Sequence, residues 1–128
     1  MCEIIVDLEA TCCNDGSIPD AERETIEIGA VAIEPTGKTE EFSAFVKPIR
    51  HRVLTKFCSD LTGIQQETVD AAGTFNIAFN AFVDWMKKYG SPDYFWSWGW
   101  FDKVQLKLDY TYHYYHDDYP FRNHKDIS

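Results

Sequence analysis

Asp7 and Glu9 stand two residues apart at the tip of an apolar run, Ile4-Ile5-Val6-Asp7-Leu8-Glu9-Ala10-Thr11. On an extended strand, residues i and i+2 share a face, so both carboxylates project side by side. Two adjacent anions repel unless a cation joins them, and their hard oxygen donors suit Mg²⁺ or Mn²⁺. With 12 Asp and 9 Glu in 128 residues, composition alone yields about one Asp-x-Glu by chance. The pair gains meaning only from the elements that place it and from a further ligand.

Asp102 is the candidate for that ligand. It lies just beyond the aromatic run 94–98 and opens a helical stretch, where the positive end of the helix dipole favours a carboxylate. The same position also reads as an ordinary helix N-cap. If strands 4–9 and 94–98 are neighbours, their C-terminal ends converge. Asp102 then completes a three-carboxylate cluster with Asp7 and Glu9, at the kind of strand end where ligands bind.

The positioning elements follow from periodicity. Residues 3–9 alternate as a strand, 14–24 read as a polar loop, and 25–33 are rich in β-branched residues. A turn at Pro35-Thr36-Gly37 leads into a strand over 41–47, giving a three-strand meander. A short helix is expected over 55–61, ended by Gly63. Thr74 is placed to cap a helix running to about Tyr89, with Phe75, Ala78, Phe79, Phe82, Val83 and Met86 on its apolar face. In the stretch from Asp102, the spacing predicts an apolar stripe of Val104, Leu108, Tyr112 and Tyr115; Pro120–Ser128 shows no period. Strands followed by a strand flanked with helices predict an α/β fold: one domain over 1–128, a mixed sheet with helices packed on it.

Composition narrows the function classes. A hydrophobic fraction of 45% and an aromatic fraction of 16% exclude a disordered chain. No apolar run is long enough to span a bilayer, and the N-terminus Met1-Cys2-Glu3 lacks a signal-peptide pattern. A cytoplasmic protein without membrane contact is expected, its four cysteines reduced. A net charge of −9 excludes broad binding to a phosphate backbone, which relies on Lys and Arg. It leaves room for an enzyme that grips only a strand end through metal ions and stacking.

The motifs, taken in order, resemble the Eri-like DEDDh 3′–5′ exonucleases, relatives of RNase T and the proofreading exonucleases. Ile5-Val6-Asp7-Leu8-Glu9-Ala10-Thr11-Cys12 is similar to their first exonuclease motif, and Glu24-Thr25-Ile26-Glu27-Ile28-Gly29-Ala30-Val31 to their second strand. Phe57-Cys58, Leu61-Thr62-Gly63-Ile64 and Val69-Asp70 resemble the segment that follows; Ser97-Trp98-Gly99 with Asp102 resembles the second motif. The likeness implies a ribonuclease H-like fold and hydrolysis of nucleoside 5′-monophosphates from a 3′ end, RNA more than DNA. It implies that Asp7, Glu9 and Asp102 hold two Mg²⁺ or Mn²⁺ ions. It also implies that Phe57 and Phe101 stack on the terminal base. Ala10 and Thr11 would lie beside the terminal sugar, and Leu61 and Thr62 beneath the last nucleotide. Glu27 matches a family glutamate and reads equally as a surface side chain.

The family's third motif pairs a general-base His with an Asp five residues on. His113 and Asp118 have that spacing but follow Asp102 too soon, while His51 and His124 read as solvated histidines. The expectation is that the chain ends at Ile127-Ser128 short of the third motif and its C-terminal helices, leaving apolar surface that favours self-association. Two other readings stay open: an inactive module that binds 3′ ends, and an acidic domain whose Asp7-Glu9 pair is incidental.

Overall fold

The computed structural model describes residues 2–90, 94–114 and 119–121, and the backbone of 123–126. Strands β1 (Glu3–Ala10), β2 (Thr25–Ile33) and β3 (Thr39–Phe45) form the antiparallel meander. Helices α1 (Lys56–Thr62), α2 (Gln66–Asp70) and α3 (Phe75–Lys87) follow, then β4 (Tyr94–Ser97), α4 (Phe101–Tyr114) and β5 (Asn123–Asp126). The sheet runs β3-β2-β1-β4-β5, with β4 parallel to both β1 and β5. This is the mixed α/β sheet that the sequence predicted. Among the described residues no helix is long and apolar enough to cross a membrane.

Alternation along β1 divides its side chains between two environments. Ile4, Val6 and Leu8 are buried against α3 and α4, together with Phe75, Phe82, Phe95 and Leu106. Ile5, Asp7 and Glu9 fall on the other face, in register with Val31, Gly29 and Glu27 of β2. At Gly29 an added Cβ would meet the Asp7 carbonyl oxygen at 3.1 Å, so a side chain there would crowd β1. The apolar face drives the folding, each buried Phe contributing roughly 1.5–3 kcal/mol. The polar face is left to the carboxylates.

Three expectations need correction. The tail is not without structure, because Asn123–Asp126 pairs in parallel with β4; sheet pairing supplies what local periodicity lacked. Thr74 occupies the cap position of α3, but its hydroxyl faces Asn76 Oδ1 and makes no capping bond. The largest difference is in α4. Val104 is exposed and Leu108 and Tyr112 are half-buried, whereas the buried face is Asp102, Gln105, Leu106, Asp109 and Tyr110. Tyr115 lies outside the described residues.

That polar face docks because the sheet offers it unpaired donors. Asp109 Oδ2 accepts from Thr25 N at 3.0 Å, Thr25 Oγ1 at 2.6 Å and Gln105 Nε2 at 2.9 Å. Gln105 also donates to the Arg23 carbonyl at 2.9 Å. Burial, opposed by these donors, pushes the Asp109 carboxyl up to about 6. Its proton is held more tightly in the folded chain than in the unfolded one. Asp109 therefore supports the fold best below about pH 4 and loses that contribution as pH rises through about 6. We predict that the stability of wild type relative to Asp109→Asn, read from urea unfolding, falls by on the order of 2 kcal/mol from pH 4 to pH 7. A difference independent of pH would contradict this.

Candidate active site

The acidic site forms where β1 and β4 end side by side. β4 stops at Ser97 and the chain turns through Gly99, at φ +80°, into α4. Asp102, in the first turn of α4, points back at β1. Its Oδ1 accepts the backbone N–H of Leu8 at 3.0 Å, and the side chain is buried. Asp102 thus bonds across to the strand that carries Asp7 and Glu9, not to its own helix, so it is no ordinary N-cap.

The charges of the neighbouring acids act on one another. Burial raises the Glu9 carboxyl above its ordinary range, and the negative charges of Asp7, Glu27 and Asp102 raise it further. Asp102 is raised by burial and by Asp7, against the lowering effect of the Leu8 N–H. Glu27 lies directly opposite Glu9 in the β1–β2 register and accepts from Ser43 Oγ at 3.0 Å. Like charges directly opposed across strands destabilise a sheet. Asp7, Glu27 and Asp102 thus each crowd Glu9 with negative charge, which a proton or a bound cation would relieve.

Among the described residues no three His, Cys, Asp or Glu side chains stand together as a ready-made metal cage. The expected cluster is thus a neighbourhood, not a closed coordination sphere: Asp102 is turned to the Leu8 amide, while Asp7 is exposed. The donor set fits a hard divalent ion nonetheless, being all carboxylate oxygen with unrelieved negative charge.

The strand exit is strapped to α1. Thr55 Oγ1 donates to the Cys12 carbonyl at 2.6 Å and accepts from Cys58 N at 3.0 Å, capping the helix. Cys58 Sγ reaches the Ala10 carbonyl at 3.7 Å. The four cysteines are free thiols. With Cys58 inward, Phe57 and Leu61 are left 37% and 68% exposed. Phe101 is 45% exposed, its ring 5.6 Å from the Arg23 guanidinium carbon. Neither phenylalanine is core packing.

Other candidates have framework roles. Ala10 and Thr11 are buried, and Thr11 brackets Glu24 through N to O at 2.8 Å and Oγ1 from N at 2.9 Å. Thr62 Oγ1 donates to the Cys58 carbonyl and accepts from Ile64 N, closing the end of α1 before Gly63 at φ +77°. His113 stacks on Phe75 with ring centroids 5.1 Å apart, and burial lowers its pKa. Asp118, the His124 side chain and Ile127-Ser128 lie outside the described residues. His51 is not simply solvated, since its Nε2 meets Glu22 Oε1 at 2.8 Å.

Sequence reasoning missed two anchoring acids. Buried Glu24 gathers the N–H groups of Ile49, Arg50 and His51 at 2.7–3.1 Å and so fixes the loop before α1. Asp109 fixes α4, and its signal was present: acids seven apart, at 102 and 109, share a helix face.

The profile of the exonuclease family typified by RNase T matches residues 4–94. The chain is 42% identical over 87 residues to mouse "ERI1 exoribonuclease 2", covering 66% of this chain and 12% of that protein. It is 37% identical over 91 residues to the Caenorhabditis elegans "3'-5' exonuclease crn-4", covering 68% and 30%. The chain thus spans under a third of the length of these relatives. The nuclease domain of 3'hExo, a DEDDh family member bound to rAMP, superposes with a TM-score of 0.81 at 29% identity, over 94% of this chain and 63% of that one.

Two results are expected from unfolding titrations. With metal chelated, Asp7→Asn raises the urea midpoint at neutral pH by relieving repulsion on Glu9 and Asp102. Adding Mn²⁺ stabilises wild type, by about 2.7 kcal/mol at a hundredfold excess over Kd, and stabilises Asp7→Asn far less. A wild-type midpoint indifferent to Mn²⁺ would count against a metal site.

Proposed function

The chain belongs to the exonuclease family typified by RNase T, and from that premise we propose that it is a metal-dependent 3′–5′ exonuclease releasing nucleoside 5′-monophosphates. The observation that carries this reading is the Asp102 carboxylate bonded to Leu8 N between Asp7 and Glu9. It brings two separate motifs to one strand tip. Asp7, Glu9 and Asp102 would hold two Mg²⁺ or Mn²⁺ ions. Such ions supply, when bound, activation of a water molecule and neutralisation of charge on the departing 3′ oxygen.

The chain's own residues do the rest by placement. The Leu8 N–H holds Asp102 in one orientation, so this ligand is positioned before substrate arrives. Phe57 and Phe101 present exposed rings, and stacking between such rings tolerates any base. The Ala10–Thr11 backbone, fixed by Glu24 and Cys58, and Leu61 with Thr62 would border the terminal nucleotide. His113 and His51 are engaged by Phe75 and Glu22, so neither is assigned as general base.

RNA is the favoured substrate. A relative is named an exoribonuclease, and the structural neighbour is bound to rAMP, a ribonucleotide. Free thiols on all four cysteines suit a cytoplasmic setting.

We expect Mg²⁺- or Mn²⁺-dependent release of 5′-monophosphates from a single-stranded RNA oligonucleotide. Asp7→Ala lowers kcat by at least a hundredfold. Phe57→Ala raises KM roughly tenfold, the equivalent of about 1.4 kcal/mol of lost stacking, with a smaller change in kcat. Binding without turnover in wild type, or turnover surviving Asp7→Ala, would overturn the proposal.

A further inference from the structure

Val104, expected in the interior of α4, faces outward instead, with Leu108 half-buried one turn on. Trp100 is 61% exposed and Val104 59%, and the Val104 N–H bonds to the Trp100 carbonyl at 3.1 Å, joining both to the first turn. Positions 100, 104, 107, 108 and 111 recur at helical spacing. Lys103, Val104, Lys107, Leu108 and Thr111 line a shallow apolar depression along this side.

The charge on this face is of one sign, although Lys38, Lys47, Arg50 and Arg52 likewise have no carboxylate partner among the described residues. Arg23, Lys56, Lys87 and Lys88 each pair with a carboxylate, at Asp20, Asp60, Asp84 and Glu40. Lys103 and Lys107 have no carboxylate partner among the described residues; both acids of α4, Asp102 and Asp109, are buried on its other side. Lys103 Nζ lies 4.4 Å above the Trp100 ring instead. A chain of net charge −9 thus carries a stripe with two cations that no carboxylate neutralises, one of them over an exposed indole.

We propose that this face of α4 binds the single strand upstream of the scissile end, Trp100 stacking on a base while Lys103 and Lys107 meet backbone phosphates. The proposal rests on the exonuclease reading and extends it from one nucleotide to several. The face begins beside Phe101 and Asp102 and runs about 15 Å along the helix, so a strand whose 3′ end sits at the carboxylates can follow it. Base stacking and cation contact are the two elements of sequence-tolerant single-strand binding. An apolar protein partner would match the depression but not the positive charge that Lys103 and Lys107 place along it.

The test compares oligoribonucleotides of two and eight nucleotides, each with a hydrolysis-resistant phosphorothioate at the 3′ linkage, binding to the full chain in Mg²⁺. Wild type should bind the longer at least tenfold more tightly. In Lys103→Gln/Lys107→Gln that preference should fall to about twofold, and the slope of log K against log salt should become shallower by about 1.4. Trp100→Ala should weaken the longer oligonucleotide roughly tenfold, with thermal unfolding unchanged in both variants. If wild type binds both lengths equally, or the double variant keeps the wild-type preference and slope, the inference fails while monophosphate release still stands. A change in self-association in place of oligonucleotide binding would likewise overturn it, assigning the face to protein contact. Absence of monophosphate release would sink the exonuclease reading instead.

Discussion

Glu9, at the tip of β1, feels the negative charge of Asp7, Glu27 and Asp102, and this repulsion is the constraint that the surrounding structure is arranged to withstand. Asp7 and Glu9 are paired by strand periodicity, Glu27 by the antiparallel register, and Asp102 by the parallel alignment of β1 with β4. Between the carboxylates themselves none of these approaches is favourable; only the Leu8 N–H on Asp102 is. Each is imposed by the same strand whose opposite face buries Ile4, Val6 and Leu8. Apolar burial at roughly 25 cal/mol per Å² is non-directional and large, whereas like-charge repulsion on an open face is partly screened by water. The interior wins, and the charges are carried into proximity as a consequence.

Withstanding the repulsion also requires that Asp102 not turn away, and here hydrogen bonding takes over from packing. A buried carboxylate needs donors, and Leu8 N provides one to Asp102 just as Thr25 and Gln105 provide them to Asp109. These two acids, seven residues apart, pin the inner face of α4 to β1 and β2. Asp102, Gln105 and Asp109 share the docked face with Leu106 and Tyr110, and Val104 falls on the opposite side. That is why Val104 is exposed in a fold with a well-filled aromatic core.

How far the sequence disclosed this depends on the range of the forces involved. Strand alternation in β1 and β2, the 3.6-residue period of α3 and the Gly63 stop of α1 are local, and all were legible. The return of Asp102 to β1 was legible as well, because parallel strands deliver their C-terminal ends to one edge, but the expected three-carboxylate cluster is a looser neighbourhood. The inner face of α4 was not, because hydropathy ranks Val104 above Asp109 and cannot register the unpaired donors of Thr25. Pairing of Asn123–Asp126 with β4 was equally hidden, since a strand added to a sheet edge draws on backbone bonds that carry no side-chain period. Glu27 was visible as a residue and ambiguous in role until the register set it opposite Glu9.

The same division bears on how an acidic protein would approach a polyanion, as the proposed function requires. Net charge acts over distances that salt screens within about 8–10 Å, so a strand end arriving at the surface meets local charge, not the total of −9. At the tip of β1 the local charge is negative and calls for cations; along the outer face of α4 it is positive and aromatic. Ordering of these two regions along one helix follows from the docking of α4 by Asp102 and Asp109. With its acids consumed inward, whatever the helix presents outward can only be neutral or basic. The hydrogen bonds that hold Asp102 and Asp109 inward therefore also clear negative charge from the outer face of α4.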